Sequence, residues 1–198
     1  MVEALDRGKH VILQFGRFNA VLDYLLVANL VTRRVRQRYE DKMRRYEETK
    51  AVADKPRPLM ITIEEAHKFL NPAVARQTTF GTIAREMRKY NVTLLVIDQR
   101  PSGIDPEVMS QLGTRVSGKL TEERDIDSVL TGVSNRGALR GALQSLDTRQ
   151  QILVMGHAVP MPITVRTRPY DEAFYAAMGG HARPHGTDSD VRDLFGEE

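Results

Sequence analysis

The chain contains no cysteine among its 198 residues. That excludes a disulfide framework and any cysteine-based metal site, and it suits a reducing, cytoplasmic setting. No apolar run approaches the roughly 18 residues that a membrane span needs. No secretory signal is visible either: Val11, Ile12 and Leu13 form too short a run and follow charged residues. Neither sign of charge is in large excess. Lysine and arginine number 29 and aspartate and glutamate 26, a net +3, so bulk charge selects no partner. Internal repeats and low-complexity tracts are missing. His10, His157, His181 and His185 show no metal-ligand spacing. The pattern G-x-x-x-x-G-K-[ST] occurs nowhere, so the loop that would cradle phosphates is missing.

What is present is an alternation of short apolar runs with helical patterns, in a length suited to one domain with a sizeable core. Residues 3–9 read as a helix end and residues 10–15 as a strand, as if the chain started in the middle of an architecture. Residues 18–50 predict a long helix. Its first half bears Leu22, Leu25, Leu26, Leu30 and Val31, a stripe expected to face the sheet. Its second half is densely charged, with Glu40/Arg44 and Asp41/Arg45 one turn apart, and is expected to project from the core. Pro56 and Pro58 mark a linker. Strands follow at residues 59–63 and 92–97, around a helix at 78–90 with Phe80, Ile83, Ala84 and Met87 on one face. Asp105-Pro106-Glu107 opens another helix. Residues 114–120 read as a short strand and 122–130 and 137–146 as helices. Residues 151–155 and 162–167 predict an antiparallel strand pair at the sheet edge, and 171–178 a last helix. The fold class is α/β, a mainly parallel sheet with helices on both faces. Residues 1–178 form the domain, and residues 179–198 a polar tail expected to be disordered.

Residues 58–101 carry the chemistry. The run Leu59-Met60-Ile61-Thr62-Ile63 ends in Glu64-Glu65-Ala66-His67, and the run Thr93-Leu94-Leu95-Val96-Ile97 ends in Asp98-Gln99-Arg100-Pro101. In open α/β sheets ligands bind beyond the carboxyl ends of the strands. Acidic side chains at the end of a buried strand are costly unless they hold a metal ion or activate water. One carboxylate on Mg²⁺ and a neighbour polarising the attacking water is the arrangement of P-loop NTPases. Two plainer readings stand beside it. The glutamates could open a helix near the positive end of its dipole. Alternatively, Glu64-x-x-His67 could be half of a carboxylate-bridged metal site, although no second such motif occurs. Gln99 could bond a γ-phosphate or orient water, or simply be a polar strand end. Asp98 reads as structural. Arg85, Arg88, Lys89 and Arg100 predict a basic cluster around the two strands, either with an arginine finger or as solvated charge. His67 suits a phosphate contact or a structural hydrogen bond, and the basic run at residues 33–45 a DNA contact or a solvated face.

Ile63-Glu64-Glu65-Ala66-His67-Lys68-Phe69-Leu70, then Ile83-Ala84-Arg85-Glu86-Met87-Arg88-Lys89-Tyr90, then Asp98-Gln99-Arg100-Pro101-Ser102 with Asp105-Pro106-Glu107-Val108, resemble the C-terminal half of the HerA-type hexameric DNA translocases. These belong to the FtsK–HerA branch of P-loop ATPases. The likeness runs from residue 6 to about residue 169. It implies a RecA-like core and the cofactors ATP and Mg²⁺, with Glu64 on the metal side, Glu65 catalytic and Gln99 sensing the γ-phosphate. Arg88 would act in trans, with Arg85 as the second choice; His67, Arg85 and Arg100 would be further nucleotide contacts. It also implies a ring hexamer on double-stranded DNA, beside a nuclease in end processing or phage defence; no membrane partner is expected, because the sequence holds no anchoring helix. The phosphate loop and the N-terminal β-barrel of such relatives are absent. The chain therefore resembles a fragment, a truncation or a degenerate copy, inactive alone but part of an ATPase when complete. Met87 stands where the family often has glycine, which favours the helix. Two alternatives remain open: a truncated interaction module that hydrolyses nothing, and the ATPase of a secretion or conjugation system.

Overall fold

A computed structural model describes residues 1–14, 21–75 and 78–178, without the side chains of residues 21–23. Helix α1 (Val2–Asp6) and the long α2 (Val21–Thr49) precede strand β1 (Leu59–Glu64). The short α3 (His67–Leu70) and α4 (Phe80–Glu86) follow, and a 3-10 turn at Met87–Tyr90 leads into β2 (Val92–Ile97). After a second 3-10 turn, Pro101–Gly103, come α5 (Pro106–Gln111), β3 (Thr114–Ser117), α6 (Glu123–Val129), α7 (Arg136–Ser145), β4 (Gln151–Gly156), β5 (Ile163–Arg166) and α8 (Glu172–Ala177). The expected tail at 179–198, the expected strand's Phe15 and the helix start at 18–20 lie outside the described residues.

The class is α/β, with two separate sheets. β1 and β2 pair in parallel, Leu59 opposite Val92 through Glu64 opposite Ile97. This is the adjacency that their matched apolar runs predict. Asn91 makes the turn into β2 possible: it adopts a left-handed backbone (φ 61°), and its side chain donates to the Pro56 carbonyl at 3.1 Å. β3, β4 and β5 form an antiparallel sheet in that order. The sequence placed β4 and β5 at the edge of the parallel sheet. Instead β3 turns away from β2 and takes β4 as its partner, and its alternating exposure is that of a half-covered antiparallel strand.

Three N-terminal expectations are corrected. Residues 10–14 form no strand; Ile12 is 91% exposed, and a ladder needs a neighbour to pair with. The leucine stripe of α2 is only partly covered: Leu25 is buried, but Leu26 is 71% and Leu30 60% exposed. The covered line is Leu25, Ala28, Thr32, Val35 and Tyr39, which packs α2 against α4 and the Met87–Tyr90 turn. Its spacing of three and four residues is helical, but it runs through alanine and threonine, which hydropathy underweights. The first part of the charged half of α2 therefore does not project, while residues 44–49 are mostly exposed. That first part is clasped to α1 through Asp6, which accepts from Arg38 at 2.7 Å and from Lys42. Burial alone would raise the Asp6 pKa, but these hydrogen bonds outweigh it and hold the carboxyl below its ordinary range.

One hydrophobic core joins α2, β1, α3, α4, β2 and α5 around Ile63, Leu70, Ile83, Met87 and Val92. A second joins α6, α7 and β4 around Ile126, Leu130, Leu143 and Met155. Polar stitches connect them. The buried Asp125 carboxylate accepts from the Ser102 amide at 3.0 Å, and Ser128 donates to the Pro101 carbonyl at 2.8 Å. Arg115 of β3 donates to the carbonyls of Val129 and Thr131 at 2.6 Å and of Met109 at 2.9 Å. It thus ties the antiparallel sheet to the C-terminal ends of α5 and α6, where a cation is favoured. Burial lowers its pKa. Arg115→Met is expected to destabilise the chain by about 1.5–3 kcal/mol, the scale of hydrogen bonds to a charged group. Arg115→Lys should fall between the two, because one ammonium cannot fan across three carbonyls. Urea midpoints measure this, and an unchanged midpoint in Arg115→Met would remove Arg115 as the stitch.

Candidate functional site

Along β1 the side chains alternate. Leu59, Ile61 and Ile63 face the core, while Met60, Thr62 and Glu64 are on the opposite, more open face. Glu64 therefore ends the strand exposed, and among the described residues its side chain makes no hydrogen bond or ion pair. The next residue, Glu65, has φ 51°. A left-handed backbone at a residue that is neither glycine nor asparagine costs about 1–3 kcal/mol and persists only where its surroundings enforce it. Here the enforcing contacts are visible: the fully buried Ala66 donates its amide to the Ile97 carbonyl at 3.3 Å, and the Lys68 amide bonds the Glu65 carbonyl at 2.9 Å.

β2 delivers its polar residues to the same edge. The Asp98 side chain is only 3% exposed. One of its oxygens, Oδ2, accepts the His67 amide at 2.7 Å and contacts His67 Nδ1 at 2.9 Å; Oδ1 accepts the Arg100 amide at 2.6 Å. Burial pushes its pKa up, but these bonds from Arg100 and His67 outweigh it and hold the carboxyl below the usual range. Gln99 Nε2 lies 3.5 Å from Glu65 Oε1, and His67 Nε2 lies 3.8 Å from Glu65 Oε2. Glu65, His67, Asp98 and Gln99 thus form one constellation, with Glu65 and Gln99 at the same sheet edge.

The basic residues do not form a single cluster. Arg100 is exposed at this edge. Arg85 is engaged by the Glu107 carboxylate. Arg88 and Lys89 belong to the turn before β2, at the opposite end of the strand, roughly 17 Å away at about 3.3 Å per residue. Arg88 is exposed, and the Lys89 ammonium sits 5.0 Å from the Tyr90 ring centroid. The basic stretch of α2 is partly neutralised: Arg36 pairs with Glu40 at 2.7 Å, and Glu40 and Asp41 share a shallow cavity with Arg33, Arg36 and Arg44.

No group of three or more metal-ligating side chains occurs among the described residues. A magnesium ion bound with a nucleotide needs only one or two carboxylates, the rest of its shell being phosphate oxygens and water. The unpartnered Glu64 carboxylate fits that demand. Asp98, which the sequence reads as structural, holds His67 and the Arg100 amide by hydrogen bonds. Its side chain is buried one residue past β2, where an ionised carboxylate requires donors.

No protein-family profile matches the chain. Over 174 residues, 86% of the chain, it is 29% identical to the DNA double-strand break repair helicase HerA of Sulfurisphaera tokodaii. To the protein of that name from Sulfolobus acidocaldarius it is 31% identical over 149 residues, 74% of the chain. It spans about a third of these relatives, 34% and 29% of their lengths. Among solved structures, the conjugation coupling protein TcpA of pCW3, in monomer form with ATPγS, aligns with 76% of the chain and 46% of its own at TM-score 0.54 and 12% identity, a likeness of fold alone.

Since the folded-state pKa of Asp98 lies below its unfolded value, its stabilisation is fully present above about pH 3.9 and is lost as pH falls through the folded value. Asp98→Asn should therefore be less stable than wild type at pH 6–7, and the gap should narrow below pH 4 in thermal unfolding. A gap constant down to pH 2 would contradict an ionised, hydrogen-bonded Asp98.

Proposed function

From its homology to the HerA-type helicases, we propose that this chain is part of an ATP-driven DNA translocase and supplies the water-activating edge of its ATPase site. The observation that carries this is the meeting of Glu65 with Gln99 at the carboxyl ends of two adjacent parallel strands. Residues 1–178 act as the unit that delivers this edge, and the phosphate cradle comes from elsewhere in the complete protein. Glu64 holds Mg²⁺, whose chemistry is to neutralise charge on the transferred phosphoryl group. Glu65 takes a proton from the attacking water, and Gln99 orients that water or bonds the γ-phosphate. Arg100, exposed at the same edge, is the cation placed to meet phosphate, whereas Arg85 is engaged by Glu107 and His67 by Asp98.

Arg88 stands at the far end of β2 and serves a neighbouring subunit, which requires a ring; we take this to be a hexamer around double-stranded DNA, working beside a nuclease in end processing or phage defence. The working compartment is the cytoplasm; among the described residues no helix is long and apolar enough to cross a membrane. A non-enzymatic RecA-like interaction module is the second reading, favoured by the lack of a phosphate-binding motif.

The test joins residues 1–178 to a HerA-type phosphate-binding segment and measures ATP binding and turnover. Glu65→Gln should keep binding and cut turnover roughly 10²–10⁴-fold. The 198-residue chain alone should hydrolyse little or none. Turnover indifferent to Glu65→Gln would sink the assignment, and binding without any turnover in the unmutated fusion would favour the interaction module. In the same fusion Arg88→Ala should cut turnover by up to about 10³-fold with binding nearly intact. Mixing it with Glu65→Gln subunits should restore part of the activity, and absence of rescue would argue against a shared site.

A further inference from the structure

We propose that a cleft beside the antiparallel sheet, walled by Arg149, Arg166, Arg168 and Tyr170, binds a single nucleic-acid strand: the arginines take the phosphodiester backbone and Tyr170 stacks on an unpaired base. The site lies outside the Glu65–Gln99 edge, and its binding needs neither ATP nor a second subunit.

The cleft, of about 640 Å³, opens between the turn that leaves α7 and the segment that leaves β5. Its two walls are pinned to each other. The Thr167 amide donates to the Gln150 carbonyl at 2.7 Å, and the Thr167 hydroxyl donates to the same oxygen at 3.2 Å. Across the same junction Arg166 Nε donates to Gln150 Oε1 at 3.2 Å. That bond fixes the direction of the guanidinium and leaves the N–H groups of its two terminal nitrogens unused. The turn is closed on its own side by Asp147, whose Oδ1 accepts the Arg149 amide at 2.9 Å. This carboxylate, the one acidic group lining the cleft, is thus engaged by backbone and not by a guanidinium.

The charge there is uncompensated. Among the described residues none of Arg149, Arg166 and Arg168 pairs with a carboxylate, whereas Arg36, Arg38, Arg85 and Arg140 each do. The other cleft with three arginines, on α2, makes the contrast. It holds two acidic residues, and these take Arg36 and Arg44 in ion pairs. Three unpaired guanidinium groups around one concavity suit phosphate oxygens, which each can meet with two parallel donors.

Tyr170 selects the form of the nucleic acid. Its side chain is 84% exposed beside the arginines, yet it is backed by the Phe174 ring, centroid to centroid 5.7 Å. Phe174 is set in turn by the first turn of α8, where Asp171 accepts its amide at 2.8 Å. A ring held in this way and open to solvent is a stacking platform. In a duplex the base faces are occupied by their neighbours, so the platform serves an unpaired strand, whose bases present free π-faces.

The experiment uses the 198-residue chain without ATP or Mg²⁺, so a failure of the ATPase function leaves it untouched. Fluorescence anisotropy with a labelled oligothymidylate of about 15 nucleotides covers the usual site sizes. Binding is expected, with a slope of log K against log salt of about −2, three contacts at roughly −0.7 each. Arg168→Ala should weaken it roughly tenfold or more, the scale of hydrogen bonds to a charged group, and lower the slope by about 0.7. Tyr170→Ala should weaken it roughly fivefold or more, and Tyr170→Phe should retain it, since stacking needs the ring and not the hydroxyl. Arg34→Ala on α2 should leave it unchanged. Four results would each overturn the proposal: no binding of the strand, equal binding of a duplex with Tyr170→Ala silent, an Arg34→Ala defect as large as that of Arg168→Ala, or displacement of the strand by thymidine monophosphate at matched concentration. The last would make the cleft a pocket for a free nucleotide.

Discussion

In-register parallel pairing of β1 with β2 is the constraint on which the rest depends. Parallel strands emerge at the same edge, so the residues following each strand are brought together whatever their separation in sequence. A slip of one residue would turn Ile61 and Ile63 outward and Glu64 into the core. The register is held by the apolar face that β1 and β2 turn toward α3, α4 and α5. It continues past the last strand residue through the Ala66 amide on the Ile97 carbonyl. The opposite face carries Met60, Leu95 and Ile97, all exposed among the described residues.

Around that edge the electrostatics work outward from a single buried carboxylate. Asp98 offsets its burial with three donors, two of them supplied by His67. It could not remain ionised there without them. The same bonds fix the entry into α3, so the strained backbone of Glu65 lies between two secured points. The strain falls where the Glu65 carboxylate meets Gln99, 3.5 Å away.

The two cores are joined by specific polar contacts and not by continuous apolar packing. Asp125 and Ser128 reach from α6 to the turn that follows Gln99, and Arg115 reaches from β3 to the ends of α5 and α6. The antiparallel sheet is thereby connected, through a few bonds, to the loop that presents Gln99 and Arg100. A displacement of α6 would be felt at that loop before it was felt in the parallel strands, whose own packing is independent of it.

By itself the sequence determined the elements whose signals are local. The apolar runs of β1 and β2 with their polar ends, the Asp105-Pro106 helix start and the α/β class all follow from composition within a few residues. Glu65 and Gln99 were legible as a pair because strand direction alone dictates which end their side chains share. Tertiary structure decided the remainder. Which line of α2 is buried depended on what packs against it, and alanine and threonine won over Leu26 and Leu30 because the covering surface lay on their side. Whether β3 joined the parallel or the antiparallel sheet depended on competition between partners distant in sequence, β2 and β4. The inward commitment of His67 and the split of the basic residues between two ends of β2 depended on distances between segments some thirty residues apart or on opposite sides of a strand. A periodicity describes one element at a time. The energy of burying Asp98 depends on where the donors of another element come to rest, and only the assembled chain fixes that.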